Sequence, residues 1–181
     1  MFFFSKMNIK NENNEIESIG FETKNLSIKV ALTAMTAALY TALGYIFQPI
    51  SFLGLQFRVA ELIVGMCLLF PLEGLIGKIV GVFFVNLTSP LGPIDLISCI
   101  VNIPALYCII FFRDKKLLKY LGGVLYAIII SIYVALILNY AFALPIWLSF
   151  IQVLTAEVIL ATLGIILFDI IKSRFNIEFS Y

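Results

Sequence analysis

Leu55-Gln56-Phe57-Arg58-Val59-Ala60-Glu61 places an arginine and a glutamate three residues apart inside a long apolar run. The chain around them is 62% hydrophobic, with a mean hydropathy of +1.07, and has the character of a membrane domain. A charged side chain at the centre of a spanning helix costs about 2.5–3.5 kcal/mol on insertion scales, so it faces protein, a partner charge or a water-filled cavity. Two readings of the pair follow. Arg58 and Glu61 neutralise each other on one helix face, since positions three apart are neighbours, or they line a pocket for a polar ligand.

Composition narrows the choice. At 181 residues with this apolar content, the chain reads as one all-α integral membrane domain. A net charge of +1 carries no nucleic-acid signal. There is no histidine, which removes the commonest general base and the commonest metal ligand. Cys67, Cys99 and Cys108 are scattered through apolar segments without metal or disulfide spacing and read as packing residues. Neither a phosphate-binding P-loop nor a G-x-S-x-G nucleophile elbow is present. No metal, cofactor or catalytic residue is expected.

The hydrophobic runs predict six transmembrane helices in a domain at 26–172. They cover about Leu26–Phe47, Phe57–Phe70, Leu75–Leu87, Ile94–Phe112, Leu117–Asn139 and Ile146–Ile171. A polar, Asn- and Glu-rich stretch over 1–25 reads as a mobile tail, and 173–181 as a short polar tail. Gln48–Leu55 reads as a loop. Pro71-Leu72-Glu73-Gly74 breaks the second run from the third, with Glu73 seeking water. Gly77 and Gly81, four apart, mark a close helix approach. Ala34, Ala38 and Ala42 recur every fourth position on the first helix, a face for packing inside the bundle or for docking a partner.

Charge sets the orientation. With six helices, eleven of the twelve basic residues, including Lys78, Arg113, Lys115, Lys116, Lys119 and Lys172, fall at one face. The positive-inside rule makes that face cytoplasmic, with both termini on it. Arg58 is the exception. Asp169 and Lys172 read as a cytoplasmic surface pair. Gln56, Arg58, Glu61, Asn86, Asp95, Asn102, Asn139, Trp147, Gln152 and Glu157 then sit towards the outer leaflet, over inner halves of nearly pure Ile, Leu, Val and Phe. Asp95, Ser98 and Asn102 share one helix face. Asp95 also lies near a helix start, where a carboxylate serves as a cap. The pattern describes a cup open to the outside. Carboxylates and carboxamides between aromatic rings (Phe57, Phe84, Tyr107, Trp147) suit a planar heterocycle rich in N–H groups.

Leu55-Gln56-Phe57-Arg58-Val59-Ala60-Glu61 and Asn86-Leu87-Thr88-Ser89-Pro90-Leu91-Gly92-Pro93-Ile94-Asp95 resemble the QueT family. Its pattern is Gln-Phe-Arg-x-x-Glu, then Asn-x-x-Ser-Pro-x-Gly-x-x-Asp, then Gly-Glu in the last helix. Gln56, Phe57, Arg58, Glu61, Asn86, Ser89, Pro90, Gly92, Asp95 and Glu157 match. Ala156 stands in place of the last Gly, and Ser98-Cys99 follows where the family usually has Gly. The resemblance spans about residues 30–172. It implies a substrate-binding (S) component of an energy-coupling factor (ECF) transporter, importing a queuosine precursor, a deazaguanine base such as prequeuosine or queuine. Glu61, Asp95 and Glu157 would read the guanine-like edge. Asn86 and Asn139 would add hydrogen bonds, Phe57 and Trp147 would stack, and Arg58 would orient Glu61 or the loop Gln48–Leu55. The face of Ala34, Ala38 and Ala42 would dock a coupling membrane subunit served by two cytoplasmic ATPases. An S component for another small nutrient, a non-transporting accessory subunit and a membrane-embedded enzyme stand as alternatives. The missing histidine and the lack of a nucleophile–base pair disfavour the enzyme.

Overall fold

The computed structural model describes residues 26–52 and 57–175. The tail expected at 1–25, Gln56 and residues 176–181 lie outside them. Helix α1 spans Leu26–Ile46. A single turn residue leads into α2, Gln48–Phe52, so part of the expected loop is a short helix. Pro49 sits in its first turn, where the missing N–H costs nothing. Next come a 3-10 segment, Val59–Gly65, and the one-turn α3, Met66–Leu69. Helix α4 runs Pro71–Asn86. A second 3-10 segment, Gly92–Ile97, leads into α5, Ser98–Phe112. Two long helices follow, α6 over Leu118–Phe142 and α7 over Ile146–Phe175.

Among the described residues four helices are long and apolar enough to cross a membrane: Leu26–Ile46, Gly92–Phe112, Leu118–Phe142 and Ile146–Arg174. The other two expected spans are short. The 16 residues of α4 rise about 24 Å at 1.5 Å each, and Val59–Leu69 covers about 20 Å, both less than the roughly 30 Å of hydrocarbon. The break between them is where the sequence put it. Proline forces the residue before it out of the helical region, and Phe70 is accordingly extended, at φ −127° and ψ 85°. Glu73, expected to seek water at this break, is instead buried in the first turn of α4.

Small residues let the elements close on one another. A Cβ on Gly77 would lie 2.5 Å from the Thr33 carbonyl oxygen, and one on Gly81 2.7 Å from Tyr40, so the expected glycine pair is the seam between α4 and α1. A Cβ on Gly65 would meet the Gly164 oxygen at 2.3 Å, and one on Gly164 the Leu62 oxygen at 2.4 Å. This clamps the first 3-10 segment to α7. At the other end of the bundle Lys119 pairs with Asp169 at 2.6 Å, tying the start of α6 to the end of α7. Asp169 thus takes Lys119, where the sequence suggested Lys172. Cys67 is fully buried in the core, as a packing residue should be.

Candidate functional site

Lys78 lies midway along α4, beside the Gly77–Gly81 seam, and it has no solvent exposure. This corrects the count of cytoplasmic charges, in which Lys78 was one of the eleven. A lysine two turns into an apolar helix is too deep to leave its ammonium unpaired, and the fold surrounds it. Its Nζ lies 2.7 Å from Glu61 Oε2, donates to Asn102 Oδ1 at 3.0 Å, and donates to the Tyr126 hydroxyl. All three of its donors are therefore placed. The Tyr126 ring centroid is 4.4 Å from the ammonium, within cation–π range.

Glu61 is held as completely. The Tyr40 hydroxyl donates to Oε1 at 2.7 Å, and Oε2 accepts from Lys78 and from Tyr126. Four elements meet at this carboxylate: α1, the first 3-10 segment, α4 and α6. Glu61 is on that short segment because Gly65 and Leu62 seat it against Gly164 of α7. Glu157 lies seven residues before Gly164, two turns away on the same face of α7, and is 1% exposed.

A second group adjoins the first. Arg58, at the start of the 3-10 segment, approaches Asp95 with Nη2 to Oδ2 at 3.7 Å. The sequence paired Arg58 with Glu61. The fold instead gives Glu61 to Lys78 and Asp95 to Arg58. Asn86, near the C-terminus of α4, donates to the Asp95 carbonyl at 2.9 Å and to Ser98 Oγ at 2.6 Å. From the far side the Tyr133 hydroxyl donates to the Ile94 carbonyl at 3.1 Å. The segment carrying Asp95 is thus braced from α4 and α6. Its turn uses Gly92 at φ 75°, a conformation that favours glycine. Asp95 does not act as a helix cap: among the described residues neither of its carboxylate oxygens has a hydrogen-bond partner, and nor does Oε2 of Glu157. Buried carboxylate oxygens without donors are costly and uncommon.

Of the ten candidate residues, six are brought together and buried: Arg58, Glu61, Asn86, Asp95, Asn102 and Glu157. Phe57 is half-buried and lines a groove of about 520 Å³ with Gln152, Thr155 and Ala156 of α7. Gln56 lies outside the described residues. The structure does not bring Asn139 or Trp147 to the cluster. Asn139 is exposed at the end of α6 and donates to the Leu144 carbonyl at 2.8 Å, closing its own helix. Trp147 is 75% exposed and meets Phe150 edge-on. Phe84 and Tyr107, expected as aromatic walls, are also exposed. The sequence reading missed Lys78, Tyr126 and Tyr40. The signal for Lys78 was its depth in an apolar segment flanked by glycines. The two tyrosines resemble any other aromatic residue in a membrane helix. The cluster also reaches deeper than a cup confined to the outer halves, since Lys78 and Tyr126 lie well inside their helices.

Ala34, Ala38 and Ala42 are exposed on α1, on the face opposite Thr36, Ala37, Tyr40 and Gly44, which pack inward. Internal packing is therefore not what this alanine row serves.

Apolar helices of spanning length around buried ion pairs, with buried carboxylate oxygens that find no donor among the described residues, define a membrane protein with a polar interior. The chain belongs to the QueT transporter family, whose model matches residues 30–173. No curated protein and no solved structure matches it. Membership makes it a transporter component rather than an enzyme.

Proposed function

We propose that the chain is the substrate-binding component of an ECF-type uptake transporter, holding a deazaguanine queuosine precursor in a pocket that opens outward. It crosses the cell membrane six times, with both termini cytoplasmic; the two short segments complete their crossings with flanking loops or locally thinner bilayer. The observation that carries this reading is a pair of buried carboxylates, Asp95 and Glu157: both oxygens of Asp95 and Oε2 of Glu157 find no hydrogen-bond donor among the described residues. A guanine-like edge presents adjacent N–H groups, the donors such oxygens need. Glu61 and Lys78 form the floor beneath it, with Glu61 fixed by protein donors and not free to read the ligand. Arg58 orients Asp95, Asn86 positions its backbone, and Phe57 offers a ring face.

The exposed row of Ala34, Ala38 and Ala42 docks the coupling membrane subunit, and two cytoplasmic ATPases drive the cycle. The test is thermal unfolding of the purified protein with and without prequeuosine or queuine. A ligand at a hundred times its Kd stabilises the folded state by about 2.7 kcal/mol. A rise in Tm with deazaguanines, absent with riboflavin, thiamine and biotin, supports the proposal. A rise only with another nutrient keeps the transporter class and discards the ligand. No rise with any solute leaves an accessory subunit whose alanine row is its working surface.

A further inference from the structure

We propose that the end of the bundle where α5 passes into α6 and α7 finishes is a binding surface for the headgroups of anionic phospholipids. This goes beyond the transport reading: the partner is the bilayer leaflet at that end, and the transported solute plays no part in it.

One ion pair assembles the surface. Lys119, in the first turn of α6, meets Asp169, near the end of α7, at 2.6 Å, which brings residues 113–119 and 169–174 together. These two stretches hold Arg113, Lys115, Lys116, Lys119, Lys172 and Arg174 against Asp114 and Asp169, an excess of four positive charges. Both acids are already engaged, Asp169 by Lys119 and Asp114 by Arg113 at 3.3 Å. Among the described residues Lys115, Lys116, Lys172 and Arg174 form no ion pair, and none of the four is buried. Lys115 and Lys116 come about one turn before Lys119, and Lys172 about one turn after Asp169, so all three lie beyond the pair, towards the end of the bundle.

The helix dipoles account for only half of these charges. Lys172 and Arg174, in the last turn of α7, complement their helix. Lys115 and Lys116 stand just before α6, where the dipole is positive and favours an acid, and no acid occupies that first turn. An anion from outside the chain relieves this repulsion. The lysines are also held in a defined turn: the Lys115 N–H donates to the Phe112 carbonyl at 3.2 Å, and the Lys119 N–H to the Lys115 carbonyl at 3.2 Å. An ordered surface loses less entropy when a headgroup docks.

Two large apolar side chains flank the same turn and set its depth. Phe111 is 76% exposed and Leu117 82%. At the hydrocarbon boundary both enter the acyl chains, while the lysines beside them extend to the phosphates. Apolar anchors beside an excess of cations suit a lipid of net negative charge. A zwitterionic headgroup carries its own cation, which offsets the attraction.

The experiment places the full chain in phosphatidylcholine vesicles with a trace of spin-labelled phosphatidylglycerol or spin-labelled phosphatidylcholine. Electron paramagnetic resonance then measures the fraction of each label immobilised by the protein. At low salt, association with phosphatidylglycerol should be about fivefold stronger, the pull of one basic side chain near an anionic surface. Roughly 1 M salt shortens the Debye length to about 3 Å and should bring the ratio close to one. The quadruple variant Lys115→Gln/Lys116→Gln/Lys172→Gln/Arg174→Gln should do the same at low salt with Tm little changed, since it alters no ion pair. Equal immobilisation of the two labels by the unaltered protein overturns the proposal and leaves these cations to an acidic protein partner. A preference that persists in the quadruple variant overturns it too. So does a preference that free glycerol phosphate abolishes at matched ionic strength, which would mark a site for soluble phosphate. The comparison of labels and the salt series use the unaltered protein, so they decide the matter even if the variant does not fold.

Discussion

Replacing Lys78 with methionine separates the fold described here from the one that charge counting alone suggests. If Lys78 were a cytoplasmic-face lysine, the substitution would cost no more than a surface charge, roughly 0–1 kcal/mol. In the structure it removes the ammonium from a fully buried ion pair at 2.7 Å and takes a donor from both Asn102 and Tyr126. Glu61 would then be left as a buried carboxylate without its ion-pair partner. Breaking a buried pair by removing one partner costs about 3–5 kcal/mol. For a chain of this length, at about 2–4 °C per kcal/mol, that is a fall in Tm of about 6–20 °C. Polar contacts in membrane proteins have measured nearer 0.6 kcal/mol, because helices unfolded within the bilayer still find partners. The lower end of the range is therefore the better expectation. The double variant Lys78→Met/Glu61→Gln carries the sharper test. Removing the orphaned carboxylate should recover part of the loss, with a coupling of about 0.5–3 kcal/mol. Thermal unfolding in detergent of the parent, both single variants and the double variant measures all four corners. A Tm for Lys78→Met within about 2 °C of the parent, or strictly additive losses in the double variant, would refute the buried pair.

Other consequences follow from particular contacts. Asn86→Leu removes the donors that hold the Asp95 carbonyl and Ser98 Oγ, so it should destabilise by about 1–3 kcal/mol and weaken ligand binding; unchanged affinity in calorimetry would show that Asp95 needs no such brace. Gly164→Ala puts a Cβ 2.4 Å from the Leu62 carbonyl oxygen and must push the Glu61 segment off α7, costing about 1–3 kcal/mol in thermal unfolding and lowering affinity. Gly92→Ala meets no neighbour within 4 Å but is strained at φ 75°, so it should cost about 1–2 kcal/mol from backbone conformation alone. Ala38→Leu alters an exposed face, so stability should change by less than about 0.5 kcal/mol and ligand binding should persist, while uptake by the assembled transporter is lost. Normal uptake by that variant would remove the alanine row from the docking surface.

The sequence by itself determined the elements that depend on short-range information. An all-helical membrane protein was legible from hydropathy, and the break before Pro71 from the constraint that proline puts on Phe70. The seam at Gly77 and Gly81 was legible because close approach needs small residues at helical spacing, and the family from two motifs that stay contiguous in the chain. The grouping of Arg58, Glu61, Asn86, Asp95, Asn102 and Glu157 followed from the cost of polar groups in lipid, which leaves them few places but one another. Only the tertiary structure decided who pairs with whom. Arg58 and Glu61 are neighbours in sequence and partners of other residues in space, because the 3-10 segment is clamped to α7 and turns Glu61 towards Lys78 of α4. Lys78 looked like an inner-face charge because the positive-inside rule counts lysines without their depth in the bundle, and Tyr40 and Tyr126 carried no local mark at all. Asn139 and Trp147 looked inward by depth alone, yet the rotation of each helix about its own axis turned them outward. That rotation is set by packing against neighbours distant in the chain, and these two helices are apolar nearly all round, so little in their own sequence reports it.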